Sequence, residues 1–513
     1  MRNIYRLGVI LLAACLAALS ACTPEELLNP PRLATQTAQA VRLPTLLATA
    51  PPATAPPVMP SATPVPTQLL TVAQEEPTTI TVWLNETDER TVEFAETIGA
   101  QYMARTGVQV QFLYLDAQQI TGLAGTAQLI NQLPDLILHN SEQTAGLIAD
   151  GVLDATAAQS LIDELGAETF MDGALADVPQ IDNEVAAVPS DGWQYILLYR
   201  SDWFEAAGLP APTTFGGMLA AADAFYTFDE EGIPRDQLVS GIVVPTEQDA
   251  YSTQRVFEWV ATANGCRLLD GERRVQFMHP ACLDALDFYL SIVNQYSPPD
   301  YQTDVTAIKA FLDGRTAMIM SPPSILPMLA GYDETYRPTC DACADDPAYL
   351  ITHSGMTTEL GGQSDFAEQA SFALTTRWGV TVAADDVAAD FLRFWYQQAY
   401  TDWIALAPER RVPLRITTDS GTDLLAAWGT MPLSGGGESL VELFGADSAD
   451  MLSRNLTTSE RWQASPLQTT IYEQLTIAPI LQRMLSGYVG SSQATVDTQN
   501  ALLEAQQIAP LDP

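Results

Sequence analysis

The chain has 513 residues, of which 23 are Lys or Arg and 63 are Asp or Glu, so its formal net charge is −40. A field of that sign repels phosphate backbones and excludes nucleic-acid binding. Apolar residues make up 47% of the chain, which predicts globular structure over most of its length. The single lysine, Lys309, follows an isoleucine, so the Gly-Lys-Ser/Thr of a Walker A loop is missing and an NTPase of that type is excluded.

The N-terminal segment indicates export. Two arginines precede an uncharged run over 7–21, which is shorter than the roughly 20 residues that span a bilayer and fits the apolar region of a cleaved signal. The sequence LSAC at 19–22 resembles the bacterial lipobox, whose cysteine is lipidated. We therefore expect a lipoprotein signal peptide over 1–21 and lipidation at Cys22, which would anchor the protein to the outer face of the cell membrane. An ordinary signal peptide with an incidental cysteine is the alternative.

Residues 22–77 differ in composition from the rest. They hold 12 of the 34 prolines, alternating with Ala and Thr. Such a stretch cannot bury a core, and proline favours extended polyproline II structure. We expect a disordered tether that ends where the folded part begins, at Thr78.

Four cysteines remain for the folded part: Cys266, Cys282, Cys340 and Cys343. An even number outside the cytoplasm predicts structural disulfides. The short spacing of Cys340 and Cys343 favours a tight loop, which leaves Cys266 with Cys282, although the other two pairings stay open. A redox pair or half of a zinc site is the alternative for the CxxC sequence. Because there is neither a second CxxC nor a histidine at ligand spacing, we expect no metal and no other cofactor.

Strand and helix patterns alternate along the folded part. A β-branched run at 79–83 precedes helical spacing over 91–105, and further strands are predicted at 108–115 and 134–138. This order predicts an α/β fold on a mostly parallel, doubly wound sheet. In such sheets, ligands bind at the carboxyl ends of the strands.

Several short blocks, in this order, resemble the extracellular solute-binding proteins of ABC importers, the large sugar-binding class that includes maltose-binding protein. The resemblance covers about 78–506. The blocks are ITVW at 80–83, TGVQV at 106–110, PDLI at 134–137 with LIADGVL at 147–153, LYRSDWFEAAGL at 198–209, PTTF at 212–215, FLDGRTAM at 311–318, and a late helix at 388–395 followed by Pro413.

The resemblance implies a two-lobed periplasmic-binding-protein-like fold, in which each lobe is a mostly parallel sheet flanked by helices and crossing hinge strands join the lobes. It assigns 78–190 plus 374–430 to the N-terminal lobe, and 191–373 plus 431–513 to the C-terminal lobe.

The resemblance also implies a function. A polar solute, with a sugar or oligosaccharide favoured, would bind in the interlobe cleft and be delivered to ABC permease subunits, with hinge closure near 189–192 and 372–376. The expected protein is a monomer without enzymatic activity. The alternative is a sensor or surface-interaction lipoprotein of the same fold with no importer. An extracellular hydrolase is less favoured, because the sequence holds no recognisable catalytic motif.

Sugar recognition needs flat apolar faces for the rings and fixed polar groups for the hydroxyls, so such residues at strand ends and crossings are the ligand-binding candidates. They are Trp83, Asn85 and Glu86 after the first strand, His139 and Asn140 after the third, Asp191 and Trp193 at the first crossing, Ser321 after a later strand, and Trp378 beside the second crossing. Each has a structural alternative: core packing for a tryptophan, a turn or helix cap for His139 and Asn140, and a hinge turn for Asp191.

Overall fold

A computed structural model describes residues 78–228, 232–234, 237–457, 462 and 464–509. The predicted signal peptide, the lipidation of Cys22 and the tether over 22–77 lie outside these residues.

The strands of the described part are mostly short. They are β1 Thr79–Leu84, β2 Gln109–Tyr114, β3 Leu136–Asn140, β4 Gln180–Ile181, β5 Glu184–Val185, β6 Val188–Gln194, β7 Ile196–Arg200, β8 Met318–Ser321, β9 Ser354–Thr357, β10 Leu360–Gly361, β11 Gln369–Ala370, β12 Ala373–Val380 and β13 Val412–Pro413.

The helices outnumber the strands. They are α1 Glu89–Thr106, α2 Ile120–Leu129, α3 Thr144–Ala149, α4 Ala155–Leu165, α5 Ser201–Ala207, α6 Phe215–Phe225, α7 Tyr251–Ala263, α8 Pro280–Tyr296, α9 Asp304–Leu312, α10 Ile325–Leu329, α11 Tyr349–Thr352, α12 Asp386–Phe394, α13 Tyr400–Ala405, α14 Leu424–Trp428, α15 Leu440–Phe444, α16 Asp447–Ser453, α17 Pro466–Glu473, α18 Ala478–Leu485 and α19 Ser491–Ile508. None of these described helices is both long enough and apolar enough to cross a bilayer.

The larger sheet has six strands in the order β13-β6-β12-β3-β1-β2. β1 pairs parallel with both β2 and β3, whereas β12 runs antiparallel between β3 and β6, and β13 is antiparallel to β6. Strands β1, β2, β3 and β6 therefore point in one direction. This confirms the predicted α/β class with a mostly parallel central sheet, whose carboxyl edge follows β1, β2 and β3.

The smaller sheet has three strands in the order β8-β7-β9, and both pairings are antiparallel. The expectation of a mostly parallel sheet in each lobe therefore holds only for the larger sheet. The reason is that β7 enters the smaller sheet directly from β6, and both of its neighbours run against it. Parallel contact with β8 is limited to an isolated bridge between Val243 and Ile319.

The chain passes from the larger sheet to the smaller one at Tyr195, the single residue between β6 and β7. The Tyr195 N–H donates to the Phe372 carbonyl oxygen at 2.9 Å, so the segment entering β12 is bonded to the first crossing. This crossing lies just beyond the predicted hinge at 189–192. The lobe boundaries drawn from the sequence stay a prediction.

Both faces of the smaller sheet are buried. Ile196 and Leu198 belong to one apolar cluster together with Phe311 of α9, while Leu197 belongs to a second cluster with Trp259 of α7. This alternation is the period of two that a strand imposes on its side chains. Helices therefore cover both faces of the smaller sheet, with α9 packed on one side of β7 and α7 on the other.

Both disulfides form, as the spacing favoured. Cys266 pairs with Cys282, and Cys340 pairs with Cys343. All four residues are buried. The first bond ties the connection after α7 to the first turn of α8.

We expect the double variant C266S/C282S to lose about 3 kcal/mol in the free energy of unfolding, because the bond closes a loop with a sequence separation of 16. The matched variant C340S/C343S, with a separation of 3, should lose about 2 kcal/mol by the same loop-closure relation. Denaturant unfolding of both variants beside the parent measures the two losses. A larger loss for the shorter loop would contradict the entropic account.

Candidate ligand cleft

A cavity of about 460 Å³ lies beside the crossing at Tyr195. Trp193 and Tyr195 contribute from the crossing, Ser321 from the end of β8, and Gln118 from the loop after β2. Further wall comes from the first turns of α7 and α9. The cavity therefore draws its lining from both sheets, and its size is that of a small-molecule site.

Aromatic rings form one wall. The ring centroids of Trp193 and Tyr195 are 5.3 Å apart, and Tyr195 packs edge-on against Phe372 at 5.5 Å. Tyr195 is buried, whereas Trp193 and Tyr251 are only partly buried. The accessible aromatic surface of the cavity thus belongs to Trp193 and Tyr251.

Close packing of β6 on β12 positions Trp193. In the register of the pair, Trp193 lies opposite Leu374. A Cβ on Gly192 would come within 2.8 Å of the Leu374 carbonyl oxygen, so only glycine fits there. The residue before Trp193 therefore fixes how closely the crossing strands approach.

An ion pair holds Arg255, a lining residue of the cavity, against Glu142, which lies outside the lining. Glu142 lies in the turn after β3, and its carboxylate accepts from Arg255 of α7 at 2.6 Å. The Arg255 guanidinium also lies 4.9 Å from the centre of the Tyr251 ring. Burial acts to lower the pKa of Arg255, but the charge and hydrogen bond of Glu142, together with the neighbouring Tyr195 and Tyr472, outweigh it and raise that pKa, so the guanidinium stays charged.

Of the nine candidates, Trp193 and Ser321 line the cavity. Ser321 is buried, and its hydroxyl donates to the Pro322 carbonyl oxygen at 3.1 Å. The other seven candidates do not line the cavity.

Three of these seven lie at the carboxyl ends of β1 and β3. Trp83 is half-buried and packs against the apolar cluster that includes Ile120. Asn85 donates to the Asn140 side chain at 2.8 Å, and the Asn140 backbone N–H donates to Gln143 at 2.9 Å. These asparagines therefore brace the strand ends and cap the turn that follows β3.

Glu86 forms ion pairs instead of facing the cavity. It lies 2.8 Å from Arg410 and 2.5 Å from Arg411. Burial acts to raise the pKa of Glu86, but the two guanidinium charges outweigh it and hold that pKa below its ordinary value. The Glu86 carboxylate therefore forms ion pairs within the fold and does not face the cavity.

Asp191 and Trp378 are core residues. Asp191 accepts from the Ser190 hydroxyl at 2.6 Å and from the Trp403 indole N–H at 2.8 Å. Trp378 is fully buried, with its ring centre 5.3 Å from that of Trp395. The structural alternative applies to both positions, because neither side chain is accessible to a solute.

His139 is also a buried structural residue. Its Nε2 lies 3.1 Å from the Thr144 hydroxyl. Burial, together with the charge of Arg377, lowers the pKa of His139 from its ordinary value to about 3. The imidazole is therefore neutral at physiological pH.

Sequence reasoning missed Gln118, Tyr195, Tyr251 and Arg255. Tyr251 and Arg255 are four residues apart and share one face of a helix, which is a readable signal for a local pair. The partner of Arg255, however, is 113 positions away in the sequence. Within the described ranges, no group of three or more His, Cys, Asp or Glu side chains could hold a metal ion.

Replacing His139 with glutamine should change how stability depends on pH. In the unfolded chain the imidazole of His139 takes up a proton below pH of about 6.5. In the folded chain it stays neutral down to pH of about 3. Because of this group, the free energy of unfolding of the parent falls by up to about 1.4 kcal/mol for each unit that the pH drops within that window. The variant lacks the imidazole and does not show this loss. Urea unfolding of both proteins should therefore show a smaller difference in the free energy of unfolding between parent and variant at pH of about 5 than at pH of about 7. A gap that stays constant would refute the neutral, buried assignment.

Comparison with known families matches residues 97–409 to the model of the bacterial extracellular solute-binding proteins, which is more than half of the chain. No curated protein sequence matches the chain significantly.

Solved structures share the fold at low sequence identity. An ABC transporter solute-binding protein from Thermotoga lettingae with bound α-D-tagatose is 16% identical, with a TM-score of 0.61 over 83% of this chain and 99% of its own. A sugar transporter protein from Arthrobacter chlorophenolicus with laminaribiose is 11% identical, with a TM-score of 0.62 and the same coverage. A maltose-bound T. maritima protein is 14% identical at 0.59, again over 83% and 99%.

These likenesses confirm the predicted two-lobed periplasmic-binding-protein-like fold. The chain belongs to the family of bacterial extracellular solute-binding proteins.

Proposed function

We propose that the protein is a membrane-anchored extracellular solute-binding protein. It captures a polar solute, with a sugar or oligosaccharide favoured, in the cavity beside Tyr195 and delivers it to an ABC permease. The observation that carries this proposal is that the two sheets enclose one cavity at the point where the chain crosses between them. The sugars bound by the proteins of similar fold support the same solute class.

The cavity offers the two kinds of group that a sugar needs. The partly buried rings of Trp193 and Tyr251 supply flat apolar faces for the C–H side of a pyranose. Gln118, Ser321 and Arg255 supply hydrogen-bonding groups for hydroxyls. A solute held by both walls would favour a closed arrangement, because it gains contacts only when the walls approach.

The anchor and the delivery step belong to the proposal on sequence grounds. Cys22 and the tether over 22–77 would keep the protein near a permease in the same membrane, which raises its effective concentration there. A monomer is sufficient for this role.

We expect one sugar or sugar alcohol in a panel of sugars, polyols, peptides and anions to raise the melting temperature of the full-length chain. A solute that binds only the folded state should add about 2.7 kcal/mol at 100 times its dissociation constant. For a protein of this size, that corresponds to a rise of a few degrees. If no member of the panel raises the melting temperature of well-folded protein, the solute-capture proposal fails and the importer-independent sensor becomes the better account.

Trp193→Ala should abolish that rise while lowering the free energy of unfolding by no more than about 1–2 kcal/mol, because the ring is partly exposed at the cavity. Trp378→Ala is the matched control. It removes a fully buried ring and should cost about 3–5 kcal/mol in stability. At a temperature where this control is still folded, it should keep solute affinity. If the control lost solute binding and Trp193→Ala kept it, the solute would have to bind outside this cavity.

A further inference from the structure

The cavity is unbalanced in charge. Its charged lining residues are Asp249, Arg255 and Asp304. Arg255 is already paired with Glu142. Among the described residues, no salt bridge involves Asp249 or Asp304. The uncompensated charge of the lining is therefore negative.

The two acids line the cavity, and both remain exposed to solvent. Desolvation raises the pKa of the Asp304 carboxyl above its ordinary value, although a hydrogen bond from Ser252 and the charge of Arg255 act to lower it. The pKa of Glu247 is also raised, by burial and then by the negative charges of Asp249 and Asp304. Glu247 is therefore repelled by both aspartates, and a positive group placed among the three carboxylates would relieve that repulsion.

The polar groups of the lining can bond the hydroxyls of a polar solute. Gln118 and Ser321 line the cavity together with Arg255. An amide and a hydroxyl can each donate and accept, whereas a guanidinium only donates. A solute that carries hydroxyls as well as ammonium groups can therefore use all three side chains, whereas an ammonium group has no acceptor for Arg255.

The aromatic wall of the cavity suits a solute that combines sugar rings with positive charge. Trp193 and Tyr251 present rings to the cavity, and an aromatic face attracts a cation as well as the apolar face of a sugar. The net charge of −40 would also raise the local concentration of cations around the whole molecule.

We propose that the solute is a cationic amino sugar or a short amino-sugar oligosaccharide, with its ammonium groups toward Asp249 and Asp304 and its rings against Trp193 and Tyr251. This inference rests on the proposed function, since it names the solute class for the same cavity.

The test compares two probes that differ at the nitrogen alone, where one carries an ammonium group and the other a neutral acetamido group. Glucosamine oligomers of two to four residues carry ammonium groups, and N-acetylglucosamine oligomers of the same lengths are neutral. Calorimetric titration of the full-length chain should show the glucosamine oligomers binding at least about tenfold more tightly. That preference should shrink as ionic strength rises from about 50 to 500 mM.

The variant D249N/D304N should weaken binding of the glucosamine oligomers by about tenfold and leave that of the acetylated oligomers unchanged. The matched control D345N/D386N removes two charges from exposed positions outside the cavity and should change neither. Equal or tighter binding of the acetylated oligomers, or of other neutral sugars, would overturn this inference and leave solute capture standing. Insensitivity of glucosamine binding to D249N/D304N would overturn it as well. Failure of every probe and every panel member to bind would count against both proposals.

Discussion

The antiparallel pairing of β6 with β12 is the constraint on which both sheets and the cavity depend. β6 runs into β7 through Tyr195 alone, and the backbone of Tyr195 is bonded to Phe372 at the entrance to β12. Any slip in this pair would turn Trp193 away from the cavity, because successive side chains of a strand face opposite sides. Gly192 protects the register, since any side chain there would strike the neighbouring backbone.

A buried polar network anchors the first crossing strand to the rest of the larger sheet. Asp191 accepts from Trp403, and Arg411 stacks over the same indole at 3.6 Å while pairing with Glu86 after β1. Burying these charges is tolerable because each carboxylate has several partners, and removing one partner would leave a costly unpaired charge. The carboxylates that sequence reasoning assigned to a ligand instead hold the strand that carries Trp193. Glu86 and Asp191 are therefore used within the fold, unlike Asp249 and Asp304, which line the cavity.

The sequence supported the fold better than the site, for physical reasons visible in particular residues. Strand and helix patterns are local, so β1, α1, β2 and β3 were predictable from runs within 78–140. Trp193 and Ser321 could be found because each lies at a crossing or a strand end. Trp378 was misleading because every residue of β12 is buried, so no alternation of apolar and polar residues reveals which face meets the cavity. Arg255 lines the cavity and is held there by Glu142, a contact between distant segments that only the fold brings together.

The single-residue connection at Tyr195 has an entropic consequence. A long, loose connection would let the two walls sample many orientations, and a solute would have to freeze all of them. Here the first connection between the sheets is one residue long, and the hydrogen bond to Phe372 restricts it further. If the two walls close on a solute as proposed, this connection would surrender little conformational entropy. More of the contact energy with the solute would then remain as affinity.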